Sequence, residues 1–112
     1  MVAEDKLAEI EELLKSLMSK YPDEVRAFMH FLNTVIKEKG LTVKEKELIA
    51  LALGVATGCE WCITLHAKKA LEAGASEEEI VEAAFVAVLM AGGPALMHMI
   101  PLMRVIKEFK KK

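Results

Sequence analysis

At 112 residues the chain is long enough for one domain with a real core and too short for two comfortable ones. Hydrophobic residues make up 54% of it and aromatics only 5%, an aliphatic, alanine and methionine surplus that one small copy does not hide, so a homo-oligomer is expected. The formal net charge of -2, with both signs interspersed, offers no basic face, and no nucleic-acid partner is expected.

The chain opens on an acid-rich amphipathic segment where a basic and then apolar leader would mark export, so a cytoplasmic protein is expected. Leu7, Ile10, Leu14 and Leu17 recur at helical spacing and predict a first helix ending near Tyr21. Pro22 suits the first turn of a second helix, with Val25, Phe28, Met29, Leu32, Val35 and Ile36 as its stripe and Gly40 as its end. Three later starts share one signature, a Ser or Thr followed three residues on by Glu, in which each side chain caps the other's backbone amide. They are Thr42 with Glu45, Thr57 with Glu60 and Ser76 with Glu79, and they predict helices over 43–56, 58–73 and 77–91. A last helix should follow Pro94 and run to about Phe109, bent at Pro101.

The uncharged run 83–103 is long enough to raise a membrane span. Gly92-Gly93-Pro94 in its middle, His98 and Pro101 argue for two buried helices around a break, and no membrane association is expected. No segment alternates with a period of two and no hairpin dipeptide occurs. The fold class is therefore all-α, a single compact domain of about six helices over 1–112. The basic tail 110–112 reads as a solvated end.

The chemistry concentrates in GCEWCITLH, Gly58 to His66. If Thr57 opens a helix, Cys59 and Cys62 occupy its first two turns with Cα atoms roughly 5 Å apart, within disulfide range. His66, four residues past Cys62, shares their face. A thiolate needs positive potential, which a helix N-terminus supplies in part and a histidine supplies as base or cation. The helix terminus favours Cys59 as the attacking sulfur and the histidine favours Cys62; the residues alone leave this a tie.

Other readings of the triplet are weaker. Haem attachment needs the histidine directly after the second cysteine, where Ile63 stands. Structural zinc wants four ligands, and Cys59, Cys62 and His66 would have to borrow Glu47, His30 or His98. A thioredoxin-like motif belongs beside a βαβ pattern, which is absent from the sequence. The remaining competitor is an inert disulfide staple. The chain has no glutamine and one asparagine, Asn33, a thermophile-like composition, and intracellular proteins of hyperthermophiles carry structural disulfides.

Glu47, Cys59, Cys62 and His66 together form E-x11-C-x2-C-x3-H, and GVATGCEWCITLHAKKALEAGASEEEIVEA followed by Gly-Gly-Pro surrounds it. In this motif and its context the stretch from about 42 to 100 resembles the carboxymuconolactone decarboxylase superfamily, in particular its alkylhydroperoxidase AhpD branch. The resemblance implies an all-helical oligomer, a trimer or hexamer, acting as a thiol-dependent peroxidase or disulfide reductase on a hydroperoxide or disulfide. It implies Cys62 as the attacking thiolate, Cys59 as the resolving thiol, and His66 with Glu47 as a proton relay. A dithiol reductant protein would reset the pair, and no cofactor or metal is implied. Where the relay of that branch has a second histidine immediately before the reactive cysteine, this chain has Trp61. The decarboxylases that name the superfamily lack the cysteine pair.

By sequence alone Glu47 reads as solvated, being flanked by Lys44, Glu45 and Lys46. His30 reads as a helix-surface or core-edge residue and His98 as core or interface packing. Met90, Met97, Met99 and Met103 at helical spacing read as core filler.

Overall fold

Six helices and no strand occur among residues 2–110, the part of the chain that the computed structural model describes. They are α1 (Val2–Lys20), α2 (Pro22–Ile36), α3 (Val43–Thr57), α4 (Glu60–Glu72), α5 (Glu77–Ala91) and α6 (Gly93–Lys110). This is the all-α class expected, with the six helices in the expected order.

Two of the three capping signatures form. Thr42 Oγ1 accepts the Glu45 amide at 3.1 Å and the Glu45 carboxylate accepts the Thr42 amide at 2.8 Å. Ser76 and Glu79 repeat the exchange at 3.0 and 2.9 Å. The Thr42 backbone N–H, then its hydroxyl, holds the Glu45 carboxyl below its ordinary value; for Glu79 the Ser76 backbone N–H leads and Lys44 follows.

The third signature does not form, which corrects the expected boundary. α3 runs on through Thr57, whose hydroxyl donates back to the Leu53 carbonyl at 2.9 Å, and Gly58 ends it in the left-handed region. α4 then starts two residues later than expected, at Glu60, with Cys59 as its N-cap. Hydroxyl back-bonding inside a helix competes with capping, and here it wins because α3 still has a residue to add.

The core lies between α3, α4, α5 and α6. Leu51 and Val55 of α3, Ile63 and Ala67 of α4, Ile80 and Ala84 of α5 and Leu102 of α6 have no accessible surface. Alanines at many of these contacts let the helices approach closely, and each fully buried Leu or Ile contributes about 1.5–3 kcal/mol of transfer free energy. α5 and α6 meet at the break around Gly92, and no described helix is long and apolar enough to cross a membrane. Pro101 does not end α6, which continues through it on a half-buried face.

α1 and α2 form a hairpin beside this core. Ala3 is fully buried and Val25 nearly so, while the rest of both apolar stripes is half-buried or exposed, with Phe28 and Phe31 more than half exposed. Of the four methionines read as core filler, only Met99 is buried; Met90, Met97 and Met103 are exposed. Lys110 ends α6 and pairs with Glu77 at 2.7 Å, so the one described residue of the basic tail is engaged; the rest lies outside the described residues.

Candidate functional site

Glu47, Leu51 and Gly54 are buried along one face of α3, at the i, i+4, i+7 spacing that aligns side chains on a helix. α4 packs antiparallel against that face. Its start meets Gly54, where an added Cβ would stand 3.3 Å from Cys62 Cβ and 3.4 Å from the Ile63 amide nitrogen. Its next turn brings His66 to Glu47. The glycine lets the two backbones approach, and that approach carries Cys62 and His66 onto the Glu47 side of α3.

Cys59 and Cys62 are joined in a disulfide with Cα atoms 5.2 Å apart. Cys59 lies before the first helical turn, and its Sγ accepts the Cys62 amide at 3.2 Å, the role a serine or threonine oxygen usually plays. The first residue of the pair therefore caps the helix and the second sits in its first turn, among amides with no intrahelical partner and the positive end of the helix dipole.

Glu47 is 5% exposed, and its Oε1 lies 2.7 Å from His66 Nδ1. A carboxylate oxygen only accepts, so in this pairing Nδ1 carries the hydrogen and Nε2 is left as the basic face of the ring. This overturns the solvated position that the lysine flanks of Glu47 suggested. The flanking charges point elsewhere: Lys44 pairs with Glu79 at 3.0 Å and Lys46 donates to the Val35 carbonyl.

Three parts of the site were not legible in the sequence. Gly58 has φ of 76°, and an added Cβ would stand 2.8 Å from the His98 ring. His98 Nδ1 in turn lies 2.6 Å from the Val55 carbonyl, so α6 braces the turn that carries Cys59. His98 is thus a packing residue, as read, but packed against the motif. From α1, Glu9 accepts the Trp61 indole N–H at 3.3 Å and the Lys6 ammonium sits 4.5 Å from the ring centroid. His30 is exposed on α2 and takes no part. No three His, Cys, Asp or Glu side chains among the described residues gather as a metal-ligating group.

The profile of the carboxymuconolactone decarboxylase family matches residues 22–104. A carboxymuconolactone decarboxylase family protein from Legionella pneumophila superposes with a TM-score of 0.91 at 32% identity, covering 96% of each chain. A protein of the same family from Thermotoga maritima, with a suggested involvement in antioxidative response, superposes with a TM-score of 0.85 at 27% identity, covering 95% of this chain and 91% of that one. The alkyl hydroperoxide reductase AhpD of Mycobacteroides abscessus is 31% identical over 67 residues, which are 60% of this chain and 38% of that protein. The chain belongs to the carboxymuconolactone decarboxylase family.

Proposed function

We propose that this family member is a thiol-dependent oxidoreductase of the AhpD type, reducing hydroperoxides or disulfides through Cys62 and Cys59 with His66 and Glu47 as the proton relay. The observation that carries the reading is a bridgeable cysteine pair at the start of the helix whose next turn bears a histidine already oriented by a buried carboxylate. His66 Nε2 takes the Cys62 proton. The Cys62 thiolate attacks the outer oxygen of ROOH, the O–O bond breaks, and RO⁻ leaves as ROH with the proton returned by His66. Cys62 is left as the sulfenic acid. The Cys59 thiol then displaces its hydroxyl, giving the disulfide and water, and an external dithiol protein reduces the pair by two thiol–disulfide exchanges. Glu47 holds the Nδ1 hydrogen and steadies the ring as its charge changes.

A purely structural bridge is disfavoured by its span. Residues three apart already share a helical turn, so closing so short a loop removes little entropy from the unfolded chain, about 2 kcal/mol against nearly 5 for a long loop.

The proposal extends to assembly and place. Phe85, Val86, Leu89 and Met90 of α5 and Leu96, Met97 and Ile100 of α6 are exposed in one copy, and a trimer or hexamer of this chain covers such a surface. The cytoplasm, where dithiol reductants are maintained, is the proposed compartment.

The test is to add one equivalent of hydroperoxide to reduced protein and follow Trp61 fluorescence, with the product identified by mass. Fast formation of the Cys59–Cys62 disulfide, abolished by Cys62→Ser, supports the reading. In Cys59→Ser the Cys62 sulfenic acid should persist and be trapped by dimedone. A rate no faster than that of a free thiol overturns the peroxidase reading and leaves disulfide exchange or a staple.

A further inference from the structure

Trp61 and Glu60 occupy the two helical positions between the N-cap Cys59 and Cys62. Both are gripped from α1, some fifty residues earlier in the chain. Glu9 accepts the indole N–H at 3.3 Å, the Lys6 ammonium stands 4.5 Å from the indole centroid, and the same ammonium lies 3.7 Å from Glu60 Oε1. α1 is itself fixed to α6 one turn earlier, where Ala3 is fully buried and its amide donates to Glu108 Oε2 at 2.9 Å. Ala3, Lys6 and Glu9 are spaced by three and lie on one face of the helix, so that face is fastened to α6 at one end and to the dithiol turn at the other.

In the oxidised protein the bridge holds the first turn of α4. When the bridge opens, that turn keeps the capping contact on Cys62, the Ile63 amide on the Cys59 carbonyl at 2.9 Å, its packing and the contacts from α1, and first turns fray because most of their amides lack intrahelical partners. A frayed turn lets the two sulfurs drift apart and lowers their effective concentration toward each other.

We propose that α1 is a clamp on the dithiol, with Lys6 and Glu9 as positioning residues that hold Glu60 and Trp61 in the helical turn and so keep the Cys59 and Cys62 sulfurs within closing distance in the reduced protein. The step it favours is ring closure. With a sulfenic acid at Cys62, the Cys59 sulfur bonds to the Cys62 sulfur while the Cys59 thiol hydrogen and the Cys62 hydroxyl leave together as water. With oxidised glutathione, the dithiol is oxidised to the disulfide and the glutathione disulfide is reduced to two glutathione thiols. The catalytic consequence rests on the function proposed above; the closing equilibrium does not.

The experiment equilibrates full-length protein in glutathione buffers of graded oxidised-to-reduced ratio, quenches with acid, and counts free thiols after alkylation. The Lys6→Ala, Glu9→Ala pair should lower the closing equilibrium constant about three- to tenfold, the scale of one cation–π contact and one exposed hydrogen bond. Lys6→Arg with Glu9→Gln keeps a cation over the ring and an acceptor for the indole, and should stay within about twofold of the parent. Trp61→Phe keeps the ring and loses the donor, so it should fall between them. Thermal melts of the reduced forms confirm that each variant is folded. An unchanged constant in the alanine pair, or an equal loss in the conservative pair, overturns the clamp. Normal closure in the parent with peroxide reactivity no better than a free thiol's overturns the peroxidase reading and leaves the clamp standing.

Discussion

Gly54 lies against Cys62 so closely that a methyl group on its Cα would stand 3.3 Å from the cysteine's Cβ, with helix backbone of α4 immediately behind it. The neighbour that would have to yield is Cys62 Cβ, which is fixed by the α4 backbone and cannot rotate away as the end of a long side chain can. Gly54→Ala should therefore push α4 off α3, cost about 1–3 kcal/mol of stability, and loosen the Glu47–His66 contact on the next turn. Calorimetric melts read the first effect and the rate of Cys62 alkylation the second. Gly58→Ala faces both a left-handed φ and the His98 ring and should destabilise at least as much.

Removing the relay separates orientation from proton transfer. Glu47→Gln retains an acceptor for His66 Nδ1 and should leave the fold intact while slowing peroxide reduction, because it no longer balances the ring's positive charge. His66→Asn removes the base itself and should cost about 10²-fold or more in rate. Glu47→Ala leaves His66 Nδ1 without its partner at a half-buried position and should lower stability by about 1–3 kcal/mol. Stopped-flow fluorescence and thermal melts distinguish the three; a wild-type rate in His66→Asn would remove the relay from the mechanism.

The acid limb of stability should carry the signature of the two capping carboxylates. Glu45 and Glu79 are both held below the ordinary carboxyl value of 4.5, first by the backbone amides of Thr42 and Ser76. A group lowered in the folded state binds protons more readily when unfolded, so its contribution is complete above the unfolded value and is lost as pH falls through the folded one. Stability should drop below about pH 4.5, and Glu45→Gln with Glu79→Gln should flatten that drop. Denaturant melts at graded pH read it; an acid limb identical in parent and double variant would assign the drop to other carboxyls.

Leu89 and Met90 are about four-fifths exposed in one copy, so charging them scarcely perturbs the folded chain. Leu89→Glu with Met90→Lys should turn an oligomer into a monomer of unchanged helicity, read by sedimentation velocity and circular dichroism. A monomeric parent would remove the assembly proposal.

The helical class, the number of helices and their order were legible in the sequence because helix periodicity and capping are local: Thr42, Ser76 and their glutamates act within four residues of chain. Thr57 shows where local reading stops. It carries the same signature with Glu60, yet the helix before it extends through it, and the cap falls to a cysteine sulfur that the sequence marks only as a redox candidate. Two elements compete for one residue there, and the winner depends on how α3 and α4 pack.

The site divides along the same line. Cys62 and His66 share a face by helix geometry, with Cys59 as the cap just before them, and the spacing of all three is visible in nine residues of sequence. Glu47 reads as a solvated glutamate among lysines until α3 and α4 lie side by side; its burial and its 2.7 Å contact with His66 are decided by the approach at Gly54. The brace from His98 and the grip of Lys6 and Glu9 on Trp61 join residues more than forty positions apart. Contacts of that range leave no periodic trace in sequence, because each partner's face is set by its own helix and their meeting by the packing of the whole core.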